Sequence, residues 1–264
     1  MIIDTHVHYD DKAFDDDREE LLQSLKDHDI GAVIDCGDRY VGLSRILEMT
    51  DMYPFLYGAV GVHPASTGEL DDNKLSDMKE MCGHGKIVAV GEIGLDYHDA
   101  DADRTVQKEW FVRQFRLASE SGLPVIIHSR DAAADTMDIV RKQIGTVPGG
   151  VMHCYSYSPD QAEEYVSMGL LIGVGGVVTF KNARKLKETV SQIPLSSILL
   201  ETDCPYLAPE PFRGRRNSSL YLPYVIQEIA NLRNISTDEV IRATEENAVR
   251  LFHIGHQNKQ QRSI

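Results

Sequence analysis

The sequence predicts a single (β/α)8 barrel, an α/β TIM barrel, and three observations carry that expectation. Eight strand-like apolar runs alternate with helix-like segments over about 250 residues, the size and rhythm of that architecture. Several runs are continuously apolar, as strands are when a helical layer buries both faces. No Gly-rich phosphate loop of the P-loop or dinucleotide type is present, which argues against the main competitor, a doubly wound open sheet.

The first strand is Ile2-Ile3-Asp4-Thr5-His6-Val7-His8. Successive strand side chains alternate faces, so Asp4, His6 and His8 share one face. Residues 15–28 set Leu21, Leu22 and Leu25 among charges, a helical pattern. The strand Ala32-Val33-Ile34-Asp35-Cys36 follows, then a helix over 40–52, an apolar run over 55–62 that leads into His63-Pro64, and a short helix over 75–82. The fourth strand, 87–92, ends in Glu92. An acidic linker with Asp96, Asp99, Asp101 and Asp103 opens a long helix over 104–121, punctuated by Gly122 and Pro124. The fifth strand, 124–128, ends in His128 and precedes a helix over 132–143. The sixth, 150–153, ends in His153 and precedes a helix over 159–168. A seventh strand covers 170–174, a helix 183–190, and the eighth strand 198–203 ends in Asp203. Helices over 220–232 and 237–252 close one domain, residues 1–256, before a polar tail at 257–264.

The strand endings carry the functional signal. In this barrel the C-terminal ends of the strands meet at one mouth. His6, His8, Glu92, His128, His153 and Asp203 therefore converge although they are scattered through the chain. Four imidazoles and two carboxylates exceed what one tetrahedral structural ion needs, and they suit two divalent ions bridged by a carboxylate and a water. Each residue alone has an ordinary structural explanation. Six at matching positions do not.

Composition narrows the chemistry. With 27 basic against 41 acidic side chains the formal net charge is −14, which disfavours broad electrostatic attachment to nucleic acid. It leaves room for a nuclease in which metal ions and a few arginines supply local positive potential. No apolar run approaches the roughly 18 residues of a membrane span, and no basic region followed by an apolar stretch marks a secretory signal. Cys36, Cys82, Cys154 and Cys204 lack Cys-x-x-Cys spacing and read as reduced thiols of a cytoplasmic protein.

The chain resembles TatD-family metal-dependent hydrolases of the amidohydrolase-like superfamily. The matching stretches are Asp4-Thr5-His6-Val7-His8, Gly61-Val62-His63-Pro64, Gly91-Glu92-Ile93-Gly94-Leu95-Asp96-Tyr97, His128-Ser129-Arg130-Asp131, Met152-His153-Cys154-Tyr155-Ser156, Glu201-Thr202-Asp203-Cys204-Pro205 and Arg213-Gly214-Arg215-Arg216-Asn217. The resemblance implies one ion on His6, His8 and Asp203, with Glu92 bridging to a second on His128 and His153. It also implies a deoxyribonuclease, often a 3′–5′ exonuclease, with RNA as a further substrate of some members. Asp203 and Glu92 are the expected catalytic groups, Asp203 orienting the attacking water and accepting its proton.

Around them, His63, Arg130, Arg213, Arg215, Asn217, Tyr97 and Tyr206 are expected substrate contacts, the arginines for phosphate and the tyrosines for bases. Asp4 and Glu201 are expected to orient ligand histidines from below. Three positions depart from the family pattern: Phe212 replaces a common His, Ser218-Ser219 replaces Glu-Pro, and Tyr157 replaces a small residue. They bear on substrate choice.

The alternatives are an amidohydrolase or esterase acting on a small molecule or an aminoacyl-tRNA, and a binding protein without turnover. The fourth strand ends in Glu92, with no lysine to be carbamylated as in many amidohydrolases. Histidine-rich ligation favours Zn, Mn, Fe, Co or Ni, whereas Mg prefers oxygen donors.

Overall fold

The computed structural model describes residues 1–98 and 103–255. Asp99, Asp101 and the expected tail at 257–264 lie outside the described residues. Eight parallel strands run round the barrel in chain order: β1 (Ile2–Val7), β2 (Ile30–Cys36), β3 (Leu56–Ala59), β4 (Ile87–Asp96), β5 (Val125–Arg130), β6 (Gly150–Met152), β7 (Leu170–Val174) and β8 (Ile198–Leu200). Val7 pairs in parallel with Cys204, the Asp203 amide donates to His6 O and the His8 amide to Cys204 O, each at 2.9 Å, which closes the ring.

One apolar cluster takes a side chain from every strand: Ile3, Ile34, Ala59, Ala89, Ile126, Val151, Leu171 and Leu199. This is the barrel interior, and Phe252 and Ile254 at the chain's C-terminal end pack into it. A larger cluster lies between the strands and the helices α1 (Arg18–Ser24), α2 (Leu43–Met52), α3 (Asp72–Met81), α4 (Arg104–Ser121), α5 (Ala133–Gln143), α6 (Pro159–Ser167), α7 (Arg184–Gln192), α8 (Leu222–Arg233) and α9 (Thr237–Phe252). Phe111 and Phe115 of α4 are fully buried there, each worth about 1.5–3 kcal/mol of apolar transfer.

Local chemistry sets the helix ends. Asp103 accepts from the Thr105 amide at the start of α4, and Gly122 ends it with φ +66°. Ser158 caps α6 ahead of Pro159, and Ser236 accepts from the Glu239 amide at the start of α9.

Two strands differ from their sequence reading in ways that matter to the site. β4 continues to Asp96, so this carboxylate shares the Glu92 face of the strand instead of opening a linker. β8 stops at Leu200, and Glu201, Thr202 and Asp203 follow as irregular backbone. Asp203 has φ +58°, a left-handed conformation that Asp tolerates better than most residues.

Candidate metal centre

β1 delivers His6, and His8 follows just past its end. Their Nε2 atoms stand 3.1 Å apart. Glu92 Oε2 lies 3.3 and 3.8 Å from these nitrogens, and Asp203 Oδ1 lies 3.8 and 3.4 Å from them. His8 Nδ1 donates to the Cys36 carbonyl at 2.9 Å, which leaves Nε2 for the centre of the site. The His153 ring stacks on His6 with centroids 3.5 Å apart. Its Nδ1 donates to Glu201 Oε2 at 3.1 Å, and its Nε2 faces Asp203 at 3.7 Å and Glu92 at 3.8 Å. Glu201 also accepts from the Cys154 amide at 2.7 Å. It reaches these partners because β7 carries Gly173, where a Cβ would meet Glu201 Oε2 at 2.2 Å.

His128 is held differently. Nδ1 donates to Glu92 Oε1 at 2.6 Å and Nε2 to Asp96 Oδ2 at 3.1 Å, so the ring is clasped between two carboxylates. His63 lies against it, ring centroids 4.3 Å apart, and accepts from the Ala65 amide through Nδ1. A neutral His63 ring then carries its proton on Nε2.

Burial opposes charge on each ring, and the outcome depends on the neighbours. For His6 burial prevails and the pKa is lowered. At His8 the Asp203 hydrogen bond and charge overcome burial and raise it to about 10. Against the same burial, Glu92 and then Asp96 raise His128 to about 9, and Glu201 with Glu92 raises His153 to about 9. Burial alone would raise Glu92, yet His153, His6 and His128 hold it well below the usual range. Burial lowers His63 to about 4. At His8, His128 and His153 on the floor of the site the neighbouring carboxylates therefore favour positive charge, whereas His6 and His63 favour the neutral ring.

The donor chemistry fits divalent cations. Among the described residues, His6, His8 and Asp203 offer donor atoms within 4.8 Å of one another, the trio that the resemblance assigns to a first ion. Similar groups are His6–His153–Glu201, His63–Glu92–His128 and His153–Cys154–Asp203. The expected second trio is gathered less closely. His128 groups with His63 and Glu92, and its ring centroid is 6.5 Å from that of His153, because Glu92 and Asp96 draw the ring to their side.

A cavity of about 610 Å³ opens above this floor, and His63, Arg130 and Tyr206 line it. Tyr97 does not; its hydroxyl donates to Asp135 and Arg104 covers its ring, so it packs the rim. Asn217 is fully buried, donating to the Thr202 and Tyr206 carbonyls and accepting from the Ser218 amide, which makes it a brace for the loop and not a substrate contact. Arg213 and Arg215 lie outside the cavity over the Phe180 and Phe212 rings. Arg216 forms a two-pronged pair with Asp17. Asp4 does not reach the His6 imidazole: it accepts from Thr202 N and Oγ1 and from Ser219 Oγ, and so fixes the backbone next to Asp203.

Sequence reasoning missed Asp96, Gln107 and Gln114. The two glutamines, buried on α4, each bridge both backbone polar groups of one residue: Gln107 that of Asp96, Gln114 that of Val62, next to His63. A signal was available, since polar residues seven apart on an otherwise apolar stripe need buried partners.

The family described as TatD related DNase matches residues 3–253. An uncharacterized metal-dependent hydrolase, YabD of Bacillus subtilis, is 41% identical over 254 residues, covering 96% of this chain and 100% of that protein. A Cronobacter sakazakii protein named as a 3′-5′ ssDNA/RNA exonuclease, TatD, is 29% identical, covering 95% of this chain and 97% of that protein. The crystal structure of YjjV, a TatD homologue from Escherichia coli, superposes with a TM-score of 0.90 at 33% identity, covering 96% of this chain and 98% of that one.

Proposed function

The chain belongs to the TatD-related DNase family of metal-dependent hydrolases, and from that premise we propose that it cleaves phosphodiester bonds of single-stranded DNA, with RNA as a second substrate, from the 3′ end. Two divalent ions are assigned, one to His6, His8 and Asp203 and one to His128 and His153, with Glu92 shared between them. The supporting observation is the convergence of His6, His8, Glu92, His153 and Asp203 within 3.1–3.8 Å contacts on the cavity floor.

When bound, such ions neutralise phosphate charge and lower the pKa of an attacking water. Asp203 orients that water and takes its proton, aided by the backbone that Asp4 and Thr202 hold. His63, neutral through burial, donates from Nε2 to a non-bridging oxygen. Arg130 at the cavity wall contacts a phosphate, Tyr206 offers its ring to a base, and Arg213 and Arg215 follow the strand beyond the rim.

Metal analysis of the purified protein, with hydrolysis of end-labelled single-stranded DNA, RNA and bis(p-nitrophenyl) phosphate with and without chelator, tests this. Chelator-sensitive release of 3′ nucleotides is expected. No phosphodiester hydrolysis by the metal-loaded protein would overturn it. One observation favours a second reading, an esterase on aminoacyl-tRNA: Asp10, Asp11 and Asp38 line the cavity, and carboxylates suit the ammonium of an esterified amino acid. Deacylation in the same panel without nuclease activity would select it.

A further inference from the structure

We propose that Phe212, Tyr221 and Tyr224 form an outer subsite on which unpaired bases of the substrate strand stack, so that the substrate is a single strand longer than the cavity holds. The proposal rests on the nuclease reading and adds a binding surface to it. Phe212 and Tyr221 are stacked, centroids 4.4 Å apart and planes 8° apart, and Tyr224 meets Phe212 edge-on at 5.1 Å with 42% of its surface exposed. Flat aromatic faces beside positive charge are what a single strand uses, because every base has a π-face and every link a phosphate.

The charge is present. Arg215 lies over Phe212 and Arg213 over Phe180. Among the described residues neither has a carboxylate partner, whereas the adjacent Arg216 is neutralised by Asp17. In a chain of net charge −14, two neighbouring unneutralised guanidiniums mark where a polyanion is tolerated.

The surface is also continuous with the cavity. Val177, Tyr206 and Leu207 line its wall, and Phe180 follows three residues after Val177. The Glu210 amide donates to Thr179 Oγ1 at 2.8 Å and the Phe212 amide to Pro209 O at 2.7 Å, so the two loops travel outward as one anchored unit. A strand leaving the site over this wall arrives at Arg213 and then at the aromatic group.

The test compares the wild type with Phe212→Ala, Phe212→Trp and Tyr224→Ala on a thymidine dinucleotide and a thymidine decanucleotide. Fluorescence anisotropy of the decanucleotide on chelator-treated protein reports binding without turnover, and bis(p-nitrophenyl) phosphate hydrolysis checks that the centre is intact. Both alanine variants are expected to raise KM for the decanucleotide about tenfold, the lower range of one lost base stack, with kcat and dinucleotide KM unchanged, and Phe212→Trp is expected to retain wild-type KM. Length-independent KM in the wild type, or equal losses on both oligonucleotides, overturns the subsite alone. If no oligonucleotide is hydrolysed or bound, the nuclease reading falls with it.

Discussion

At Glu92 one buried carboxylate meets four imidazoles: Oε1 accepts from His128 at 2.6 Å and faces His153, while Oε2 faces His6 and His8. Glu92→Ala removes the group assigned to both ions and the counter-charge for His128 and His153. Turnover is expected to vanish, with far-UV circular dichroism preserved because the barrel interior is apolar and intact. Wild-type hydrolysis by that variant would discard the assignment. Asp203→Asn keeps the shape and removes the proton acceptor, so kcat is expected to fall by about 10²–10⁴, the usual range for a lost general base. Unchanged kcat at saturating metal would assign the proton to another group. His6 and His8 were legible because alternation on a strand is a rule of geometry. Asn217 was not, because a loop asparagine that braces carbonyls and one that faces a ligand look alike in sequence.

The elements show why some of the site was hidden. Glu201 follows β8 and His153 follows β6, on either side of β7, and the bare face of Gly173 in β7 lets the carboxylate through. Gly173→Ala puts a methyl 2.2 Å from Glu201 Oε2, so the carboxylate must move and His153 loses its fixed Nδ1 partner. Metal affinity, measured by competition with a chromogenic chelator, is expected to drop about 10–100-fold, as for other lost supports of ligand histidines. Unchanged affinity would mean that His153 is oriented by its stacking on His6 instead. The eight strands and their order could be read from apolar runs between breakers. Strand ends could not: β4 outruns its apolar run by the polar-ended segment Ile93-Gly94-Leu95-Asp96, which hid Asp96, and β8 gives way to a left-handed Asp203 that alternation cannot describe. Tyr157, visible as a departure from the family pattern, bonds Ser129 Oγ and accepts from the Ala132 amide, tying the loop after β6 to the loop after β5.

For the whole molecule, the barrel gathers several side chains at one mouth that the folded chain prefers protonated when no cation is bound. His8, His128 and His153 are raised from an ordinary value of 6.5 to about 10, 9 and 9. A group whose folded pKa is raised contributes stability in full below its unfolded pKa and loses it as pH climbs through the folded value. The depressed groups, His6, Glu92 and Asp203, titrate below this window, and Asp4, raised to about 7 by burial, acts in the same direction as the histidines near neutrality. The Tm of chelator-treated protein is therefore expected to fall between about pH 6.5 and pH 9. With metal the direction reverses: cations displace those protons, so binding tightens as pH rises, and its contribution grows with the ratio of free metal to Kd. The gap in Tm between metal-loaded and chelated protein should widen steadily over the same interval when both are scanned by differential scanning fluorimetry. A constant gap, with a flat Tm for the chelated form, would mean that the imidazoles at the mouth are already neutral and that no proton is exchanged for the cation.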